Sequence, residues 1–392
     1  MVDFTNFFLT LGLLFFVGLM TDLIGRNTWL PRVSLLMVFG FIAGPSVLDI
    51  IPEVGHRWFP AVADMALVMI GFLLGGQLTI PFLKKSGRHV LGISLFEVII
   101  TAALVTLGML IVGMSLPAAL LLGAIAPATA PAATVDVVKE THAEGPFTDV
   151  LLGVVGIDDI WGVVFFTVVL SMTMALSGGQ GASVILLTGL WDVAGAIILG
   201  VLMGIPMAFL TGRVKPGEPT LVEALGFVFL CAGIAFWMEV SFILSSMAMG
   251  SVVANLAKHH ARPFHAVEGI EWPFLTLFFV LSGASLHLKA IFTAGSVFLI
   301  YVCLRVLGKF LGSNIGAKWS GADKMIRRHM WMGLMPQAGI ALGMALYACQ
   351  RFQDLNNIIM PVVIGGTIVF ELFGPIMTKR ALIASGDVSI NR

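Results

Sequence analysis

The chain has 392 residues, 58% of them hydrophobic and 11% charged, against roughly a quarter charged in soluble domains, and its mean hydropathy is +1.01. That composition excludes water as the main solvent, and with 22 basic and 22 acidic residues the formal net charge is zero, so no bulk charge is present to attract nucleic acid. A bilayer core of about 30 Å takes roughly 20 apolar residues per helical crossing, so this length accommodates about a dozen crossings with short connections and no separate soluble domain.

In chain order, the apolar runs predict thirteen spans at about 6–25, 33–49, 61–81, 90–113, 117–138, 147–176, 184–211, 219–237, 240–257, 270–288, 292–317, 329–350 and 357–381. The opening MVDFTNFFLTLGLL has neither a basic leader region nor a small-residue cleavage site and is expected to be helix one. Cys231, Cys303 and Cys349 all fall in apolar stretches without metal-ligand spacing and read as small buried hydrophobes.

Lys and Arg accumulate in cytoplasmic loops. The connections after odd-numbered spans, with the tail, hold 17 of the 22 basic residues and the opposite side holds Arg57, Lys289 and Arg351. The remaining two, Arg305 and Lys309, lie inside span eleven. The asymmetry predicts an outside N-terminus and a cytoplasmic C-terminus, and a miscounted helix would have scrambled it.

An internal repeat is visible in GFLLGGQLTIPFL (71–83) and FFVLSGASLHLKAI (278–291), each closing a span. From Gly76 to Pro131 is 55 residues and from Gly283 to Pro336 is 53, and both prolines lie mid-span. The expected fold is an all-α polytopic membrane protein, a single transporter domain over 1–392. Repeat one covers about 6–176, a linker helix about 184–211 and repeat two about 219–381, the two inverted six-helix repeats crossing at broken spans five and twelve.

Span five contains GAIAPATAPAATVD, where Pro127 and Pro131 remove backbone donors and clash with the preceding turn, so the helix is expected to break. Span twelve carries GLMPQAGIALG, with Pro336 flanked by glycines. Either proline could be an ordinary kink; matched breaks in inverted repeats point to a midplane ion site lined by freed carbonyls.

GVVGIDDIWGVVFF places Asp158 and Asp159 side by side in the middle of span six. A charge buried in a bilayer costs at least a few kcal/mol, so such acids are paired or functional. Neighbours on a helix point about 100° apart, so one carboxylate can face a structural cation while the other faces a cavity. Burial and mutual repulsion penalise the doubly ionised pair, as a site where protons and a cation compete requires.

In span eleven Arg305 and Lys309 lie at i and i+4, on one helix face. Lys309 could pair with an aspartate of span six, compensate half-helix dipoles at the crossing, or both, while snorkelling to the interface is the alternative for either cation. Glu371 in span thirteen is an accessory candidate and Glu97 in span four reads as structural, with snorkelling or pairing to basic loops open to each. Thr129, Thr134 and Asp136 surround the span-five break, where they could satisfy backbone or coordinate a cation. His142, His259, His260 and His265 read as loop residues, and the 21 methionines as packing.

These features resemble the bacterial monovalent cation:proton antiporters, the thirteen-helix sodium/proton antiporter type. The resemblance runs over nearly the whole chain, through GPSVLDIIP, FLLGGQL, APATAPAAT, GIDDIWG, FFVLSGASL and LGKFLG. It implies that Asp159 is the principal cation and proton carrier, that Asp158 exchanges its proton against a salt bridge to Lys309, and that Thr129 sits beside the crossing. Two aspartates with a lysine imply electrogenic exchange of Na+, with Li+ or K+ as alternatives. It also implies a homodimer in the cell inner membrane with no cofactor. The chain departs from the family pattern at Ala130, where several relatives have an acid, and at Gln77, where relatives have a glutamate.

Three other readings compete. A sodium-coupled organic anion symporter of the same architecture needs a larger polar cavity, a channel needs a ring of carbonyls or charges, and an aspartic intramembrane protease needs acids on facing helices. Two adjacent acids on one helix do not supply the last.

Overall fold

The computed structural model describes residues 4–27, 30–44, 47–48, 53–176, 182–211, 220–257, 259, 261–284, 288–337 and 339–388. Among them it is all helical: α1 (Phe4–Asn27), α2 (Arg32–Ala43), α3 (Glu53–Gln77), α4 (Ile80–Ile111), α5 (Leu116–Ile125), α6 (Pro131–Glu140), α7 (Pro146–Leu176), α8 (Ala182–Thr211), α9 (Thr220–Trp237), α10 (Phe242–Leu256), α11 (Ala261–Ala284), α12 (Leu288–Ser320), α13 (Lys324–Gly333), α14 (Gly339–Arg351) and α15 (Asn356–Ser385). Each predicted span coincides with one helix except the fifth and twelfth, which are each two: α5 with α6, and α13 with α14. Among the described residues, six helices are long and apolar enough to cross a membrane by length and composition. Several others are shorter or carry the mid-span charges and breaks described below.

Several helices outrun their apolar windows; α3 and α11 begin about eight residues before the runs that predicted them. Helical hydrogen bonds are local and do not require an apolar sequence. α12 is interrupted at Gly295, whose φ of 58° and ψ of −140° suit glycine alone.

The chain divides into two units, one of Met1–Lys85 with Trp191–Leu286 and one of Ser86–Leu190 with His287–Arg392. In the first, small residues let helix backbones touch. Gly40 of α2 lies against the Val280 carbonyl of α11, and Gly283 of α11 against the Met37 carbonyl of α2. Gly75 of α3 meets the Met247 carbonyl of α10, and Gly250 of α10 meets the Phe72 carbonyl of α3. Reciprocal glycine contacts of this kind are how helices associate where lipid removes the hydrophobic drive between them. The inverted repeats expected from the sequence pair span two with nine and three with ten, and under that pairing each of these glycine contacts is the counterpart of the other. Phe8, Leu13, Phe16 and Met20 of α1 and Trp237 of α9 are exposed, as expected of side chains facing lipid.

The second unit has a core of Leu121, Leu122, Ile125, Phe166, Leu170 and Val363, among others, drawn from α5, α7 and α15. α12 packs on α4 through a glycine ladder. A Cβ on Gly308 would lie 2.7 Å from Thr101 Cα, and one on Gly312 2.6 Å from Glu97 Cα. This close approach brings the charges of α12 against the polar residues of α4. Asp387 Oδ2 accepts from the Thr148 amide at 2.7 Å and its hydroxyl at 2.8 Å, capping α7. Lys379 of α15 pairs with Glu140 of α6 at 2.9 Å. Cys231 and Cys349 are buried, but Cys303 is exposed on α12, contrary to the sequence expectation. An apolar environment outside the protein lets a thiol face outward in a span without cost.

Candidate functional site

The site is built by the two breaks. Pro131 starts α6, where a missing amide costs nothing, but its ring cannot accommodate the carbonyl four residues back, that of Pro127. That carbonyl accepts from Lys309 Nζ at 2.6 Å. Arg305, one turn earlier on α12, satisfies three more: its Nε donates to Ala126 O at 2.8 Å, and its two terminal nitrogens to Ala128 O at 2.8 Å and Met335 O at 2.9 Å. Its guanidinium also stacks 4.1 Å from the Phe370 ring centroid. The first two acceptors belong to the span-five break and the third to the span-twelve break. α5 and α13 both end here, so their negative dipole ends converge on two cations. Both cations are 0% exposed, which answers the snorkelling alternative: each is a buried cap for half-helix ends.

The breaks also touch directly. The Ala130 amide donates to the Pro336 carbonyl at 2.9 Å, and the Thr134 hydroxyl to the Gly333 carbonyl at 3.3 Å. Gly374 of α15 makes room for Pro336, whose Cα would lie 2.7 Å from an added Cβ.

Asp158 is buried at 1% exposure beside this crossing. Its Oδ1 accepts from Ser94 at 2.6 Å and its Oδ2 from Thr129 at 3.3 Å. Asp159 is in the same helix, and its side chain lies outside the described residues, as does that of Gln77. The carboxylate paired with Lys309 is that of Glu97, at 2.9 Å, both groups being fully buried. The sequence offered Lys309 an aspartate of span six, the half-helix ends, or both, and Glu97 a structural role with snorkelling or pairing to basic loops open to it. The structure gives Lys309 the half-helix role and Glu97 an intramembrane partner instead of a loop. Thr101 donates to the same Glu97 oxygen at 3.0 Å. Asp136 in α6 and Glu371 in α15 are buried in the same unit.

Ser94 escaped the sequence analysis. A signal was present, since Ser94, Glu97 and Thr101 recur at intervals of three and four on an otherwise apolar span, which places them on one face of α4.

An all-helical membrane fold in which two interrupted helices meet over buried charged side chains is that of a secondary transporter. The chain belongs to the sodium/hydrogen exchanger family, whose transmembrane model matches residues 11–384, and it is a cation/proton antiporter. It is similar to the ammonium/proton antiporter subunit AmhT of Alkalihalophilus pseudofirmus, at 20% identity over 94% of this chain and 93% of that one. It is also similar to the potassium/proton antiporter subunit KhtU of Bacillus subtilis, at 19% identity over 89% and 87%. Its fold matches the sodium proton antiporter MjNhaP1 from Methanocaldococcus jannaschii with a TM-score of 0.74 at 21% identity, covering 98% and 96% of the two chains.

Proposed function

We propose that this antiporter exchanges Na+ for protons electrogenically, by competition of the cation with protons at Asp158 and Asp159. The observation that supports the reading is the state of Asp158: a carboxylate withdrawn from water at the crossing of two broken helices, held by two neutral hydroxyls. Such a group carries either a proton or a cation at modest cost, whereas a bare charge there is expensive. Coupling follows, because an empty, doubly charged pair is too costly to carry across an apolar barrier, so alternating access proceeds with protons or with the cation bound. Relatives named for ammonium and for potassium make K+ and ammonium, with Li+, the alternative cargoes. The family resemblance supports a homodimer in the inner membrane, and the distribution of Lys and Arg supports an outside N-terminus and a cytoplasmic C-terminus.

Proteoliposomes with an internal pH dye, given sodium, lithium, potassium or ammonium in turn and compared with protein-free liposomes, test this. A proton flux that depends on one cation, vanishes in Asp159→Asn and quickens when an ionophore collapses the membrane potential is the expected result. Wild-type protein that is folded yet responds to no cation would overturn the antiport reading, and near-normal exchange by Asp159→Asn would overturn the site.

A further inference from the structure

Asp158 and Lys309 occupy adjacent cells of one buried network. Ser94, which donates to Asp158, and Glu97, which pairs with Lys309, are three residues apart on α4. Thr129, which donates to Asp158, and Pro127, whose carbonyl accepts from Lys309, are two residues apart in the span-five break. Opposite charges so placed attract strongly where water is excluded, yet the ammonium lies on Glu97 and the aspartate on two hydroxyls. Glu97 is fully buried, and one oxygen receives both Lys309 and the Thr101 hydroxyl. Its other oxygen has no hydrogen-bond partner among the described residues. A buried carboxylate with an orphan oxygen is costly to keep, and nothing in helix packing requires an acid there. What it does is hold the lysine.

The consequence concerns cation entry. A hydroxyl brings no net charge and can rotate away from an arriving ion. An ammonium on Asp158 would have to be displaced, and breaking a buried ion pair is strongly unfavourable. Taking the antiport reading above as given, we propose that Glu97 is a positioning residue: by retaining Lys309 on α4 it keeps the ammonium off Asp158 and leaves that carboxylate open to the transported monovalent cation. Lys309 stays under the Pro127 carbonyl as a fixed cap for the broken helix.

The test measures proton flux against cation concentration in proteoliposomes of the full chain, using whichever of sodium, lithium, potassium or ammonium drives the wild type. Glu97→Gln frees the ammonium to turn to Asp158, so the KM for the cation rises by about tenfold or more, the equivalent of a modest ion-pair competition. Glu97→Asp, which keeps the charge, falls between. The double variant Glu97→Gln with Lys309→Gln removes the competitor, and its KM returns to within about threefold of wild type even where maximal rate has fallen. A purely structural role for Glu97 would lower yield and maximal rate in both variants with no such split. A KM for Glu97→Gln within about twofold of wild type, or a double variant that keeps the raised KM, overturns the proposal. Should Glu97→Gln not fold, the double variant and the charge-reversed pair Glu97→Lys with Lys309→Glu decide; if neither of these folds, the acid serves the fold and the proposal falls. Loss of all cation response in wild type would sink the antiport reading itself, whereas a responsive wild type with an indifferent Glu97→Gln sinks this inference alone.

Discussion

Ala130 and Pro336 tie the two broken helices together: the amide of the first donates to the carbonyl of the second at 2.9 Å. In an unbroken helix that amide would bond to the carbonyl of Ala126, four residues back. Turned toward Pro336, it leaves the Ala126 carbonyl without its helical partner, and Arg305 Nε takes it at 2.8 Å. The break, the crossing and the buried arginine are one problem of satisfying backbone groups away from water.

Arg305 is therefore expected to matter first for stability. Arg305→Met strands three carbonyls from two breaks and should cost about 3–5 kcal/mol, in the range for removing one side of a buried charged network. Thermal unfolding in detergent measures it. Arg305→Lys should recover less than half of the loss, because one ammonium cannot present donors in three fixed directions.

The glycine ladder of α12 predicts a sharp contrast. Gly312→Ala puts a methyl 2.6 Å from Glu97 Cα, backbone that cannot yield, and should destabilise by about 1–3 kcal/mol. Gly226→Ala in α9 meets nothing within 4 Å and should be neutral or stabilising by up to about 1 kcal/mol, since alanine suits a helix interior. Parallel melts of the two variants compare them directly.

The hydroxyls on Asp158 are unequal. Ser94 donates at 2.6 Å and Thr129 at 3.3 Å, and hydrogen bonds to a charged group contribute about 1.5–3 kcal/mol. Ser94→Ala should weaken apparent cation affinity by about tenfold, and Thr129→Val should weaken it less. Cation titrations of proton flux in liposomes rank them, and a larger effect at Thr129 would contradict the geometry.

Asp387→Ala removes the cap on α7 supplied from the end of the last helix, at a cost of about 1 kcal/mol. Hydrogen exchange at the amides of residues 145–149 should quicken. Exchange activity at saturating cation should be unchanged, since Thr148 lies ten residues before Asp158 (158 − 148) on α7, about 15 Å of helix.

The legible parts of this protein are those written locally. Span positions followed from apolar runs, both breaks from Pro127, Pro131 and Pro336, and the candidate acids and bases from charges standing where a bilayer penalises them. Ser94 was overlooked because one serine in an apolar helix carries no signal without its neighbours Glu97 and Thr101.

The sequence by itself determined an all-helical membrane chain, its two interrupted helices, and most of the candidates for intramembrane charge, because hydropathy and proline sterics act within a turn or two of the residue concerned. Which charge meets which was decided by tertiary structure. Glu97 and Lys309 are 212 residues apart in the chain (309 − 97), and nothing in either segment distinguishes Glu97 from Asp158 as the partner of the lysine. The choice is made by the glycine ladder that draws α12 against α4, since the energy of an ion pair depends on a distance that packing alone sets.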